Sequence, residues 1–276
     1  MGRFKLSMIY AVAPETDFDV VVKGDLGRFL DLAASLGYGG VEYNVSNPFE
    51  VSARVLKEAA ESRGLKPSAL STGLSYLRYG YSLSSSKDVL RENAVKFFKG
   101  YVDLSAELEC RKVVVGLARG RCGVPGEADC GVAKQLLRSS LETLNDYALE
   151  RGVTIVFEPL NRYETKLINS VEEALELIKG LKAVKLLLDT FHATLEEASP
   201  YDAILKAAGL IGHVHVADSN RLAPGLGMID WERVALRLIM AGYEGYLSVE
   251  AVPKPSYEGM LRKAAETLKP IIERLP

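Results

Sequence analysis

Eight short apolar or β-branched runs, each followed by a segment of helical period, pace this chain from end to end. That alternation constrains its fold more than any other feature. The runs are Lys5 to Val12, Gly40 to Asn44, Lys66 to Thr72, Lys112 to Leu117, Val153 to Glu158, Val184 to Asp189, Ile211 to Asp218 and Tyr246 to Glu250. Between the first two, Leu26, Phe29, Leu30, Ala33 and Leu36 make one apolar helical stripe, and Leu90, Ala94, Phe97, Tyr101 and Leu104 make another further on. Further helices are predicted from about Val51, Val132, Val171, Tyr201, Trp231 and Tyr257. No linker or low-complexity tract interrupts the series. Eight strand-then-helix units in 276 residues predict an α/β fold: one closed (β/α)8 barrel forming a single domain over residues 1–276. A doubly wound sheet has fewer strands and a Gly-rich turn after the first, whereas Tyr10 to Pro14 holds no glycine. Gly37, Gly39 and Gly40 precede a strand rather than open a helix, and no GxxxxGK[ST] motif occurs, so nucleotide binding is set aside.

Thirty-four Lys and Arg against 36 Asp and Glu leave a net charge of −2, too little basic field to gather a nucleic acid. No apolar run has the roughly 18 residues a bilayer span needs, and the first periodic segment starts at Lys5 without a signal-peptide core. A cytoplasmic protein with no membrane partner is the expectation. The three cysteines, Cys110, Cys122 and Cys130, are an odd number and too few to staple a secreted scaffold. Cys122 and Cys130 share one Gly-rich stretch, and only eight Asn or Gln occur in the chain, a composition seen in heat-adapted proteins, where intracellular disulfides are less unusual. The sequence does not decide whether the two are bridged.

In a (β/α)8 barrel the reactive site lies at the carboxyl ends of the strands. The fifth ends in Phe157-Glu158, the sixth in Leu188-Asp189 and the eighth in Val249-Glu250, while the seventh carries His213-Val214-His215. Period-two alternation puts both histidines on one face, His215 nearer the rim. His215 is therefore the candidate metal ligand, and His213 a hydrogen-bonded residue one layer deeper. Three carboxylates converging in an apolar barrel would repel one another and protonate unless a cation balanced them. One imidazole with three carboxylates suits Mn²⁺, Mg²⁺ or Co²⁺ better than a thiolate-type zinc site. The plainer alternative, helix caps or rim salt bridges, is disfavoured because four consecutive strands deliver a ligand. Asn161-Arg162-Tyr163-Glu164, Thr190-Phe191-His192 and Ser219-Asn220-Arg221 read as loops over the pocket. Glu164, His192 and Arg221 are the lining candidates there, and Arg162 is balanced between pocket and solvent.

Three segments carry a resemblance: Phe157-Glu158-Pro159-Leu160-Asn161-Arg162-Tyr163-Glu164, Leu188-Asp189-Thr190-Phe191-His192, and His215-Val216-Ala217-Asp218-Ser219-Asn220-Arg221-Leu222-Ala223-Pro224-Gly225. In that order they resemble the ketose 3-epimerases of the xylose-isomerase-like barrel superfamily, and the similarity extends over most of the chain. The resemblance implies that Glu158, Asp189, His215 and Glu250 hold one divalent metal ion, Mn²⁺ first with Co²⁺ or Mg²⁺ as alternatives. It implies that Glu158 and Glu250 are also the acid/base pair and that Glu164, His192 and Arg221 hold the substrate's first oxygens. The implied reaction is C3 epimerisation of a sugar through a metal-stabilised enediolate, in a homo-oligomer, dimer or tetramer. Gly116-Leu117-Ala118-Arg119-Gly120-Arg121, together with Glu158 to Thr165 and Asp218-Ser219-Asn220-Arg221, resembles the branch containing 5-keto-L-gluconate epimerase, and Asp218 stands where the family often has Glu. Arginines on the former loop could grip a carboxylate or phosphate, so a keto-sugar acid or sugar phosphate stands beside a plain ketose; a solvated basic loop is the counter-reading. Tyr76, Tyr79 and Tyr81 are expected to pack or face solvent rather than to stack on a sugar. An aldose–ketose isomerase, an inosose-type dehydratase and a noncatalytic sugar-binding protein are the competing functions. A three-zinc endonuclease on the same barrel is disfavoured by three histidines and a net charge of −2.

Overall fold

The computed structural model describes residues 3–12, 16 and 18–275. Strands β1 (Phe4–Ala11), β2 (Gly40–Asn44), β3 (Lys66–Ser71), β4 (Lys112–Val115), β5 (Thr154–Phe157), β6 (Val184–Asp189), β7 (Ile211–Val216) and β8 (Gly245–Val249) close into a barrel in chain order. Every neighbouring pair is parallel, and β1 meets β8 with Phe4 opposite Gly245. The helices are α1 (Leu26–Ser35), α2 (Ala53–Glu61), α3 (Gly73–Tyr79), α4 (Asp88–Glu107), α5 (Cys130–Glu150), α6 (Val171–Ile178), α7 (Thr190–Glu196), α8 (Pro200–Lys206), α9 (Trp231–Met240) and α10 (Tyr257–Arg274). The (β/α)8 architecture read from the alternation is therefore the one observed.

Strand parity sorts the side chains. Val113, Val115, Ile155, Phe157, Leu186, Leu188, Val214, Val216 and Val249 join the large apolar cluster beneath the helices. Ala69, Val114, Val156 and Leu187 form a separate buried layer inside the barrel. Two residues beyond that layer, the same parity turns Glu158 and Asp189 inward at the carboxyl ends of β5 and β6. A helix start also depends on one of these residues: Asp189 Oδ1 accepts from the N–H groups of Phe191 (2.7 Å) and His192 (3.4 Å), capping α7.

Some expectations are corrected. Thr190-Phe191-His192 opens α7 rather than lying in a loop, and α3 is a second unforeseen helix, carrying Tyr76 and Tyr79. β4 stops at Val115, where a 3₁₀ turn over Leu117–Arg119 replaces the anticipated strand end. Cys122 and Cys130 are joined as a disulfide at the start of α5, and Cys110 is a buried free thiol.

Candidate active site

One ligand atom each from Glu158, Asp189, His215 and Glu250 lies within 4.8 Å of the others, and all four residues are buried. His215 Nδ1 faces Glu158 Oε1 and Glu250 Oε2, both at 3.6 Å, and neither Nδ1 nor Glu158 Oε1 has a hydrogen-bond partner. Buried polar atoms without partners are rare because each forfeits its hydration.

The other side of the His215 ring explains its orientation. Glu42, inward-facing and fully buried on β2, accepts from His215 Nε2 at 3.0 Å and from His213 Nε2 at 2.7 Å. Ser71 donates to the same carboxylate, and Ser248 Oγ sits 3.0 Å from His213 Nε2. An ionised carboxylate only accepts, so it fixes the proton on Nε2 of His215 and leaves Nδ1 to the centre. His213 thus holds the hydrogen-bonded role read from the sequence, whereas Glu42 escaped notice.

The electrostatics follow from this crowding. Burial would raise the Glu42 carboxyl, but His215 and His213 outweigh it and hold it well below the usual range. Burial opposes charge on His215, yet Glu42 and Glu250 pull its pKa well above the ordinary value. Asp189 is raised to about 7 by burial, with Glu250 and Glu158 adding to the rise and Arg221 resisting it. Burial would raise Glu250 as well, but His215 and Arg221 hold it below the carboxylate norm.

The three lining candidates also converge. Arg221, at φ 63° in the turn after β7, reaches Asp189 Oδ2 at 3.3 Å and Glu250 Oε2 at 2.7 Å, its guanidinium lying 4.6 Å over the Phe191 ring. His192 Nδ1 accepts from the Asn161 backbone N–H at 3.3 Å, while Nε2 lies 3.2 Å from Arg221 Nη1 and farther from Asp189 (3.8 Å), Glu158 (3.9 Å) and Glu164 (4.0 Å). Burial, then the Arg221 charge, keeps this imidazole well below its ordinary pKa and so neutral. Glu164 is raised by burial, against the pull of Arg221. Glu158, Glu164, His192, His215, Arg221 and Glu250 share one cleft, whose remaining wall is neutral: Phe18, Asn44, Ser71, Thr72, Leu117 and Leu160 contribute to it.

Other anticipated residues lie elsewhere. Arg119 is fully buried, stacked 4.6 Å over Phe157 and bonded to the carbonyls of Gly116 (3.1 Å) and Ile168 (2.9 Å), so it does not line the cleft. Arg121 is exposed. Arg162 pairs with Glu196 at 3.0 Å and is largely solvated. Asp218 accepts from Ser219, Gly225 and Ile229 N–H groups and from Trp231 Nε1, pinning the loop after β7 rather than entering the cleft. Tyr79 and Tyr81 stack with ring centres 5.3 Å apart and meet Phe97 edge-on, as the packing reading expects.

Residues 30–271 match the family model described as xylose isomerase-like TIM barrel. The chain belongs to that family. Within it, the chain is 30% identical to D-psicose 3-epimerase of Enterocloster bolteae, over 82% of this chain and 76% of that protein. It is 31% identical to L-ribulose 3-epimerase of Mesorhizobium japonicum, over 83% and 76% respectively. The crystal structure of D-psicose 3-epimerase with D-tagatose from Clostridium cellulolyticum H10 superposes with a TM-score of 0.81 at 25% identity, covering 96% of this chain and 97% of that one. These matches place the chain in the ketose 3-epimerase branch of the family. By that membership it is an enzyme of the isomerase class, a sugar epimerase.

Proposed function

We propose that this protein is a divalent-metal-dependent ketose 3-epimerase, with Glu158 and Glu250 as its acid/base pair. The observation that carries the reading is the convergence of Glu158, Asp189, His215 and Glu250 within 4.8 Å, with the buried Nδ1 of His215 and Oε1 of Glu158 left without partners. Three carboxylates and one imidazole, which would give up its Nδ1 proton on binding the ion, are a donor set a hard divalent ion takes, and Mn²⁺ is our assignment, with Co²⁺ or Mg²⁺ as substitutes. When bound, such an ion supplies Lewis-acid stabilisation for negative charge developing on the substrate's oxygens.

The protein's own groups do the rest. Glu158 and Glu250 arrive from β5 and β8, three strands apart on the closed ring, so they flank a carbon seated between them. One, ionised, removes the C3 proton; the other, protonated, returns a proton to the opposite face. Glu250 suits the ionised role, since His215 and Arg221 keep its pKa low despite burial. His192, neutral and held between Asn161 at Nδ1 and Arg221 Nη1 at Nε2, positions with Arg221 and Glu164 the end of the cleft that takes the substrate's first oxygens. For the substrate we favour an uncharged ketose over a sugar acid or phosphate. Among the described residues of the cleft Arg221 is the only arginine or lysine, and it is committed to Asp189 and Glu250.

The test is a pair of isosteric variants assayed with D-psicose and D-fructose. Glu158→Gln and Glu250→Gln should each lower kcat by about 10²–10⁴, the usual worth of a positioned acid or base, with unchanged circular dichroism. Wild-type turnover in either variant contradicts the two-carboxylate scheme.

A further inference from the structure

The inward positions of the barrel continue below its apolar layer. Two residues before Val114, Val156 and Leu187, strand parity brings Lys112, Thr154 and Lys185 into the amino-terminal mouth, at the opposite end from Glu158 and Glu250. There, with Ile211, Gly212 and Tyr243, they line a cavity of about 290 Å³. Gly212 makes this geometry possible: a Cβ there would lie 2.7 Å from Val156 Cγ1 and 2.9 Å from Lys185 Cβ.

Both lysines are half-buried, and among the described residues neither forms a salt bridge. The described lysines that form salt bridges are Lys23, Lys57 and Lys179. The one carboxylate in the cavity lining, Glu244, is exposed and bonded to neither ammonium. Burial holds Lys112 below its ordinary pKa against the pull of Cys110 and Glu42, and the nearby Lys185 adds to the lowering. Two like charges directed into one concavity are an unfavourable arrangement that a small anion relieves.

We propose that this cavity binds a phosphate group, as the free ion or as the ester of a small metabolite, between the ammonium groups of Lys112 and Lys185. Thr154 supplies a hydroxyl donor beside them. The site is separate from the reaction cleft, with Ala69, Val114, Val156 and Leu187 packed between the two ends.

Calorimetric titration of the full chain, chelator-treated and at constant ionic strength, tests this with two probes: inorganic phosphate and glycerol phosphate. The expected result is one saturable site per chain, weakened at least about tenfold by Lys112→Met and by Lys185→Met, the loss of one charge-assisted contact. Glu158→Gln should leave it unchanged. Tighter binding of glycerol phosphate identifies an ester as the ligand, and equal or weaker binding identifies the free ion. If Lys112→Met does not fold by circular dichroism, Lys112→Gln takes its place. Absence of saturable binding of both probes, affinity retained in the lysine variants, or affinity lost in Glu158→Gln overturns the assignment.

Discussion

Glu42 shows how much one side chain can decide. Its two oxygens each accept from a different imidazole, His213 at 2.7 Å and His215 at 3.0 Å, in full burial. A glutamine has the same volume but only one acceptor oxygen, so one of the two Nε2–H groups would face an amide N–H. If that carboxylate orients His215 toward a metal, Glu42→Gln should weaken Mn²⁺ binding by about 10- to 100-fold, read by calorimetric titration rather than by turnover. Unchanged Mn²⁺ affinity contradicts the role. Nothing local in the sequence marks Glu42, because its partner His213 lies 171 residues away and meets it only when the barrel closes. His215, Asp189, Glu158 and Glu250, by contrast, were legible as strand-end residues, since period two and the barrel rule fix where such side chains point.

At the scale of elements, the turn after β4 sets the room available to Glu158. A Cβ on Gly116 would lie 2.6 Å from Glu158 Oε2, a contact that the flexible carboxylate escapes only by moving. Gly116→Ala should therefore lower kcat by up to about 10²-fold, as displacements near 1 Å do. A normal kcat in Gly116→Ala would mean that the placement of Glu158 tolerates this displacement. The same turn explains a misreading: Arg119 looks like a loop cation in the sequence but folds back over Phe157, where three neighbouring backbone carbonyls, those of Gly116, Leu167 and Ile168, accept its N–H groups. Helix α7 was hidden for a related reason. It is seven residues long, too short to show an apolar period, and its start depends on the Asp189 side chain, which the strand pattern had already claimed. The Cys122–Cys130 pairing was likewise open, because closure depends on how the segment after the 3₁₀ turn folds back onto α5.

For the molecule as a whole, the barrel separates a metal-binding type of constellation at one end from a lysine-lined cavity at the other. Its stability should depend on pH at the alkaline side. Tyr38, Tyr43, Tyr101 and Tyr243 are buried with hydroxyls donating to backbone carbonyls, and burial raises each phenol well above its ordinary pKa. A raised folded-state pKa means that the unfolded chain ionises first. These tyrosines therefore contribute fully below about pH 10, and that contribution is lost as pH rises above it. The urea midpoint should hold between pH 8 and 9.5 and fall steeply by pH 11, with phenolate absorbance from the buried rings appearing only on unfolding. Phenolate absorbance from all tyrosines in the folded protein near pH 10 would contradict this.

The central claim is that this barrel moves a proton at C3 of a ketose and needs a divalent ion to do so. The most direct measurement is NMR in D₂O on chelator-treated protein with D-psicose, D-fructose or D-tagatose, before and after Mn²⁺ or Co²⁺ is restored. The account predicts deuterium at C3 together with the C3 epimer, and only after the metal is returned. Exchange at C1, or C3 exchange at full rate in the chelated protein, would contradict it.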